Sequence, residues 1–210
     1  MKSYIQYLEE EKKGTLHVFD VDDTLFHTNA QIHVKNGEGK TVQKLSNQEY
    51  NDHKLPAGHS YDYSEFRSSK KFAHESKPIS KMLNKMKAIH ANIKNKTGSN
   101  SKVVMNTARA DFDNKHKFLN TFKKQGVDVD NIHVHRAGNI PGNEQPAGKK
   151  VSIIAKQLKD DPKIGAVHMY DDSKTNLSHF VAMKKTHPHI DFHAHHVQPD
   201  GSTKKFKAEN

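Results

Sequence analysis

The stretch HVFDVDDTLFHT, residues 17–28, sets three carboxylates, Asp20, Asp22 and Asp23, directly behind a short apolar run. A second acidic pair, Asp171 and Asp172, closes another apolar run in AVHMYDDSKTNL, and Thr107 ends a third in VVMNTARAD. Carboxylates gathered in one place repel one another unless a cation lies between them, and oxygen donors of this kind suit Mg2+. A carboxylate is also a usable nucleophile, because no proton has to be removed from it first. Taken alone, an acidic pair after a strand is an ordinary turn or helix cap. Two acidic clusters and a threonine in the same relation to three apolar runs point to one shared site.

Such a site needs elements that bring the runs together. Residues 16–19, 102–106 (KVVMN), 131–135 (NIHVH) and 166–170 (AVHMY) read as short buried strands. Helical periodicity lies between them. Ile79, Met82, Leu83, Met86, Ile89 and Ile93 recur at spacings of three and four over 79–93. Phe118, Leu119 and Phe122 do so over 113–125, where Gly126 stops the helix, and Val151, Ile154 and Leu158 share a face over 150–158. Strands alternating with helices predict a three-layer α/β/α sandwich around a mainly parallel sheet. Parallel neighbours would carry Asp20, Thr107, Asp171 and Asp172 to the carboxyl edge of that sheet, where ligands collect.

Between the first two strands the chain makes a long detour. Residues 30–45 read as a β-hairpin whose arms flank Asn36-Gly37-Glu38-Gly39. Ser46 then caps a helix start and opens a small cap-like insert, so that 30–78 forms a flap and insert within a single domain spanning 1–210. Tyr50, Tyr61, Tyr63, Phe66 and Arg67 in this insert either stack on a base or sugar or pack the insert down. The Gly/Pro/Asn-rich loop 136–148 borders the next helix, and 202–210 reads as a frayed, solvated tail.

The 210 residues carry 34 Lys and Arg against 24 Asp and Glu, a formal charge of +10 with 17 neutral histidines. A basic balance suits a phosphorylated or nucleic-acid partner, although a solvated lysine surface gives the same count. There is no run of membrane-spanning length and no secretory leader pattern, so a cytoplasmic protein without a membrane partner is expected. With no cysteine, disulfide and thiolate chemistry are excluded. No P-loop, dinucleotide fingerprint or serine elbow occurs.

DVDDT resembles the D-x-D-x-T motif of the haloacid dehalogenase-like (HAD) phosphohydrolases. Thr107 matches that family's second motif, Lys149 or Lys150 its third, and Asp171 with Asp172 its acidic fourth, in order over residues 16–181. The resemblance implies an aspartyl-phosphate phosphatase with Asp20 as nucleophile and Asp22 as general acid and base. It also implies that Thr24 fixes the loop, that Thr107 binds a phosphoryl oxygen, and that a lysine, preferably Lys150, neutralises charge while Lys149 stays close. Asp20, the Asp22 carbonyl, Asp171 and Asp172 would hold Mg2+, with Asp172 as the direct ligand of the acidic pair. Asp22 favours phosphate ester hydrolysis over dehalogenase or mutase chemistry.

Arg109, two residues after Thr107, resembles the arginine of the 3′-phosphatase module of phage polynucleotide kinases, and the layout resembles small stand-alone phage phosphatases. This implies Arg109 contacts substrate; otherwise it is a helix-start residue bonding Asp111 or Asp113. The chain departs from the module at Ser173, where the module has arginine. The leading expectation is a phosphatase for a nucleotide or a nucleic-acid end. A small-metabolite or sugar-phosphate phosphatase and a catalytically idle binding module are the alternatives.

The histidines of 187–196 form a separate feature. Alternation in IDFHAHHV predicts an added strand with Ile190, Phe192 and Ala194 on one face and Asp191, His193 and His195 on the other, a spacing open to a transition metal.

Overall fold

The computed structural model describes residues 13–142 and 144–207. Strand β1 (Gly14–Phe19) leads into a detour comprising β2 (Phe26–His27), β3 (Ile32–Lys35), β4 (Thr41–Leu45), α1 (Asn47–Asp52), β5 (Ser60–Asp62), α2 (Ser64–Arg67), α3 (Ser69–Glu75) and β6 (Lys77–Pro78). The chain then alternates through α4 (Ser80–Lys94), β7 (Lys102–Thr107), α5 (Lys115–Lys123), β8 (His133–Arg136), α6 (Pro146–Asp160), β9 (Ile164–Asp171), α7 (Lys174–Ala182), β10 (Asp191–Val197) and β11 (Thr203–Lys205).

The main sheet has the order β11-β10-β9-β1-β7-β8, parallel from β10 to β8, with β11 antiparallel on the edge. Side chains alternate between its faces. Phe19, Met105 and Tyr170 pack with Met82, Leu83 and Met86 of α4 and Phe118 and Phe122 of α5. Leu16, Val18, Val104, Val167 and Met169 pack on the other face with Ile154 and Leu158 of α6 and Leu177 and Phe180 of α7. Helices thus cover both faces, and each fully buried side chain of this size contributes about 1.5–3 kcal/mol. From β1 the chain moves outward through β7 to β8, then crosses back to β9 on the opposite side of β1. The carboxyl ends of β1 and β9 therefore flank a topological switch point, the position at which parallel sheets of this kind bind ligands.

Several elements differ from those expected of the sequence. Thr107 and Asp171 are the last residues of their strands, not the first beyond them. The third strand starts at His133, because turn bonds from Asn131 and Ile132 to the Asp128 carbonyl occupy the residues before it. Gly148 lies inside α6, whose first residue is Pro146, so the loop is shorter than expected. The hairpin is present, with its turn held by the Asn36 side chain and by Gly39 at φ +77°, but β5 adds a third strand to it. The insert has its own small core of Ala30, Ile32, Val34, Leu45 and Phe66, with Tyr50 and Tyr61 packed against it.

The tail is the clearest correction. Residues 203–205 pair with β10, and Phe206 packs against the second core while its N–H bonds the Ala194 carbonyl. Lysines on a short edge strand hide the element in the sequence and discourage edge-to-edge pairing in the fold. Residues 1–12 and 208–210 lie outside the described residues. Among those described, no helix is long and apolar enough to cross a membrane.

Candidate carboxylate and lysine site

Asp20 leaves β1 with its N–H on the Tyr170 carbonyl at 3.0 Å, which ties the end of β1 to the end of β9 one residue before Asp171. The chain then turns sharply. Leu25 and Phe26 both donate to the Val21 carbonyl, and Asp23 takes the left-handed conformation at φ +55°. Asp tolerates this region better than most side chains, and strained backbone of this kind concentrates at functional loops. Asp23 itself faces the insert: its carboxylate accepts from the Thr28 N–H and from Asn47 Nδ2 at the start of α1.

Lys150, in the N-terminal half of α6 and 1% exposed, reaches the strand ends. Its Nζ lies 2.7 Å from Asp20 Oδ1 and 2.8 Å from Asp171 Oδ2. Asn106 of β7 holds the Lys150 carbonyl through Nδ2 at 3.0 Å. Asp171 is saturated by protein donors, since Oδ1 also accepts from the Ser173 N–H and from Asn176 Nδ2, each at 2.9 Å. Asp172 is more open. Thr24 Oγ1 stands 3.5 Å from its Oδ1, and His196 Nε2 donates to its carbonyl at 3.0 Å.

Asp22 turns away from this group towards Arg109. Nη2 of Arg109 lies 2.6 Å from Oδ1, and Nε lies 2.9 Å from Oδ2. The same guanidinium donates to the Phe66 carbonyl at 2.7 Å and to Thr28 Oγ1 at 3.1 Å, and sits 4.8 Å from both the Phe66 and Phe72 rings. Thr107 is fully buried, and its Oγ1 accepts from the Arg109 N–H at 3.2 Å, which leaves the hydroxyl hydrogen to donate.

Electrostatics follow from burial and crowding. Burial pushes the Asp20 carboxyl up to about 8, against the opposing charge of Lys150 and with the help of Asp171 and Asp22. Asp172 is raised well above its ordinary value by burial and then by Asp171 and Asp20. Burial alone would lower the Lys150 ammonium, but Asp171 and Asp20 outweigh it and hold it above its ordinary value. Four carboxylates (Asp20, Asp22, Asp171, Asp172) thus face two cations, Lys150 and Arg109. That excess of negative charge is what a divalent cation offsets. Oxygens of Asp20, Asp171 and Asp172 lie within 4.8 Å of one another, an all-oxygen donor set that fits a hard cation.

The structure therefore brings Asp20, Asp22, Thr107, Lys150, Asp171 and Asp172 to one edge and redirects others. Lys149 is half-buried and takes no part in the ion pairs that join Lys150 to the carboxylates. Thr24 is fully buried and points at Asp172, so it shapes the loop and does not face a substrate. Arg109 is 3% exposed, with its fork spent on Asp22; it neither projects towards a substrate nor bonds Asp111 or Asp113. The Asp22 side chain lies outside the cation-sized carboxylate group. The histidines do form the expected strand, but among the described residues no three of their nitrogens come within reach of one ion.

Asn176 and Asn106 were not found in the sequence. Asn176 carried a signal, since it falls in the first turn of a helix capped by Ser173, within side-chain reach of the acidic pair. Asn106 carried none. The cleft of about 450 Å³ lined by His90, Lys102, His133 and His135 involves the opposite end of β7 and none of the carboxylates. The chain matches no protein-family model and no curated protein sequence.

Proposed function

We propose that this chain is a Mg2+-dependent phosphatase of the HAD-like kind that hydrolyses a phosphate monoester at a nucleotide or a nucleic-acid end. The observation that carries the reading is the Lys150 ammonium, buried between Asp20 and Asp171 at the ends of adjacent parallel strands. A binding surface has no need to bury a lysine among carboxylates in this way. The β2–β6 pair and the three-stranded insert would then be the flap and small cap of the fold.

Lys150 holds Asp20 Oδ1, which orients the carboxylate at the carboxyl edge of the sheet. An Asp20 oxygen attacks phosphorus, the bond from phosphorus to the ester oxygen breaks, and Asp22, one of whose oxygens must first leave Arg109 and take a proton from solvent, passes that proton to the leaving oxygen. Water then attacks the aspartyl-phosphate, Asp22 takes the water proton, and cleavage of the phosphorus–Asp20 bond releases inorganic phosphate. Thr107 donates its hydroxyl to a phosphoryl oxygen, and Lys150 balances charge that builds up in the transition state. Mg2+ bound by Asp20, Asp172 and the Asp22 carbonyl would supply further charge stabilisation at the phosphoryl group.

The test is phosphate release from p-nitrophenyl phosphate, nucleoside monophosphates, oligonucleotides phosphorylated at either end and sugar phosphates, each with Mg2+ and with EDTA. Mg2+-dependent release that disappears in Asp20→Asn is expected. Release that survives this substitution, or no release from any substrate, would reject the proposal.

A further inference from the structure

Asp171 and Asp172 are held in different ways. Asp171 is fixed through its side chain, which Lys150, the Ser173 N–H and Asn176 all bond. The Asp172 carboxylate has the long Thr24 contact at 3.5 Å, and its peptide is fixed instead: the Asp172 carbonyl accepts from His196 Nε2 at 3.0 Å. Asp172 is the first residue beyond β9, and His196 stands opposite Asp171 as the last residue of β10 to pair with β9. His196 shares a face of β10 with Ala194, which packs in the core under α6 and α7, and its ring meets the turn from β9 into α7.

The ring has one protonation state that suits both of its neighbours. The Asp172 carbonyl can only accept, so Nε2 carries the hydrogen. Nδ1 is then an acceptor, and Gln198 Nε2, which can only donate, stands 3.0 Å from it. The same amide nitrogen lies 3.4 Å from the His196 carbonyl, which an amide oxygen in that place would repel. Gln198 is itself fixed in the turn between β10 and β11. Its N–H bonds the Ser202 carbonyl and its carbonyl accepts from the Gly201 N–H, both at 2.8 Å. Gly201 takes φ +76° there, and a β-carbon on it would fall 2.7 Å from Ile79 Cγ2. Ile79 in turn donates its N–H to the Leu25 carbonyl at 2.9 Å, in the turn that follows Asp22 and Asp23. The β10–β11 hairpin therefore braces both acidic loops.

We infer that His196 is a positioning residue: with its tautomer set by Gln198, it pins the Asp172 peptide so that the Asp172 carboxylate stays within cation-binding reach of Asp20 and Asp171. This rests on the cation site of the proposed phosphatase and not on hydrolysis. Partners that orient a metal ligand in this way are worth about 10–100-fold in metal affinity.

The test is Mn2+ binding to the metal-free full chain, read from the electron paramagnetic resonance signal of free Mn2+ and competed with Mg2+, since both ions take oxygen donors. Asp172→Asn sets the background that does not come from this site. His196→Asn keeps a polar side chain but places its amide near the Nδ1 position, short of the Asp172 carbonyl, and affinity should fall about tenfold or more. His196→Gln puts an amide N–H near the Nε2 position and should bind within about threefold of the wild type. Gln198→Leu should weaken binding about threefold, and adding it to His196→Asn should cost nothing further, because the two act through one bond. His193→Asn, the same change on the other face of β10, should leave the affinity in place. Unchanged affinity in His196→Asn, an equal loss in His193→Asn or His196→Gln, or additive losses in the double variant would overturn the inference. If His196→Asn does not fold, unchanged affinity in Gln198→Leu overturns it alone. No Mn2+ bound by the wild type, or binding that Asp172→Asn leaves intact, would instead remove the cation site, and with it the reading on which the inference rests.

Discussion

Arg109 and Asp22 stand 87 residues apart in the chain and form a buried two-pronged ion pair, 1% and 8% exposed at their side chains. The pair fixes the plane of the Asp22 carboxylate. Removing one partner of such a pair leaves an uncompensated buried charge, a loss of about 3–5 kcal/mol. Arg109→Ala should therefore lower the unfolding free energy by about that amount in urea titrations. Arg109→Lys keeps the charge but loses the fork, and phosphate release should fall at least about tenfold. The double variant Asp22→Leu, Arg109→Leu should recover much of the stability and none of the activity. Wild-type turnover in Arg109→Lys would show that the orientation of Asp22 does not matter.

Asp20→Asn separates chemistry from folding. The amide matches the carboxylate in volume but is a far weaker nucleophile, so Mg2+-dependent release should drop about a thousandfold or more. The same substitution removes one of three mutually repelling carboxylates around Lys150. In EDTA at pH 8 the variant should melt above the wild type. A variant that is both inactive and markedly less stable would mean that Asp20 is structural.

The acidic site was legible in the sequence because carboxylates at strand ends need few other facts to be read. The apolar runs predict parallel strands, and parallel strands place Asp20 and Asp171 at one edge. The partner of Asp22 was not legible, because the Arg109 pairing spans 87 residues and depends on how the insert folds over the turn. Two adjacent lysines also differ little in sequence, whereas helix phase buries Lys150 and leaves Lys149 half-exposed. The edge strand at 203–205 was hidden for another reason: its lysines read as solvated tail, and only the register with His195 and Val197 reveals pairing.

A divalent cation should stabilise the protein in a pH-dependent way. Burial lifts Asp20 from 3.8 to about 8, and raises Asp172 as well. Between those values the folded chain without cation binds protons that the unfolded chain does not, so the contribution of these groups to stability falls as pH rises from about 4 to 8. A divalent cation competes with those protons. The increase in Tm on replacing EDTA with Mg2+ should therefore be larger at pH 8 than at pH 5.5, and should shrink in Asp172→Asn. An increment independent of pH, or one untouched by Asp172→Asn, would place the cation elsewhere.

The histidine row gives the opposite dependence. His17, His168 and His193 stand side by side on β1, β9 and β10, with ring centroids 5.1 and 4.4 Å apart, and His195 Nε2 lies 3.0 Å from His168 Nδ1. Burial and then the neighbouring His168 ring lower His17 to about 4; burial, then His168, Lys85 and the other rings, lower His195 to about 4. His168 is lowered by burial and by His193. Each folded-state pKa lies below the unfolded value of 6.5, so from pH 6.5 down to about 4 the unfolded chain takes up protons that the folded chain refuses. The stability contributed by the row is present above pH 6.5 and is lost as pH falls through that window. His195→Gln keeps a polar side chain and removes one titrating ring, so its stability relative to the wild type should improve as pH is lowered from 7.5 to 5. Taking the difference between the two proteins cancels the carboxylate effect, which they share. Urea midpoints at the two pH values measure that difference, and parallel pH dependences in the two proteins would mean that the row does not sense protons.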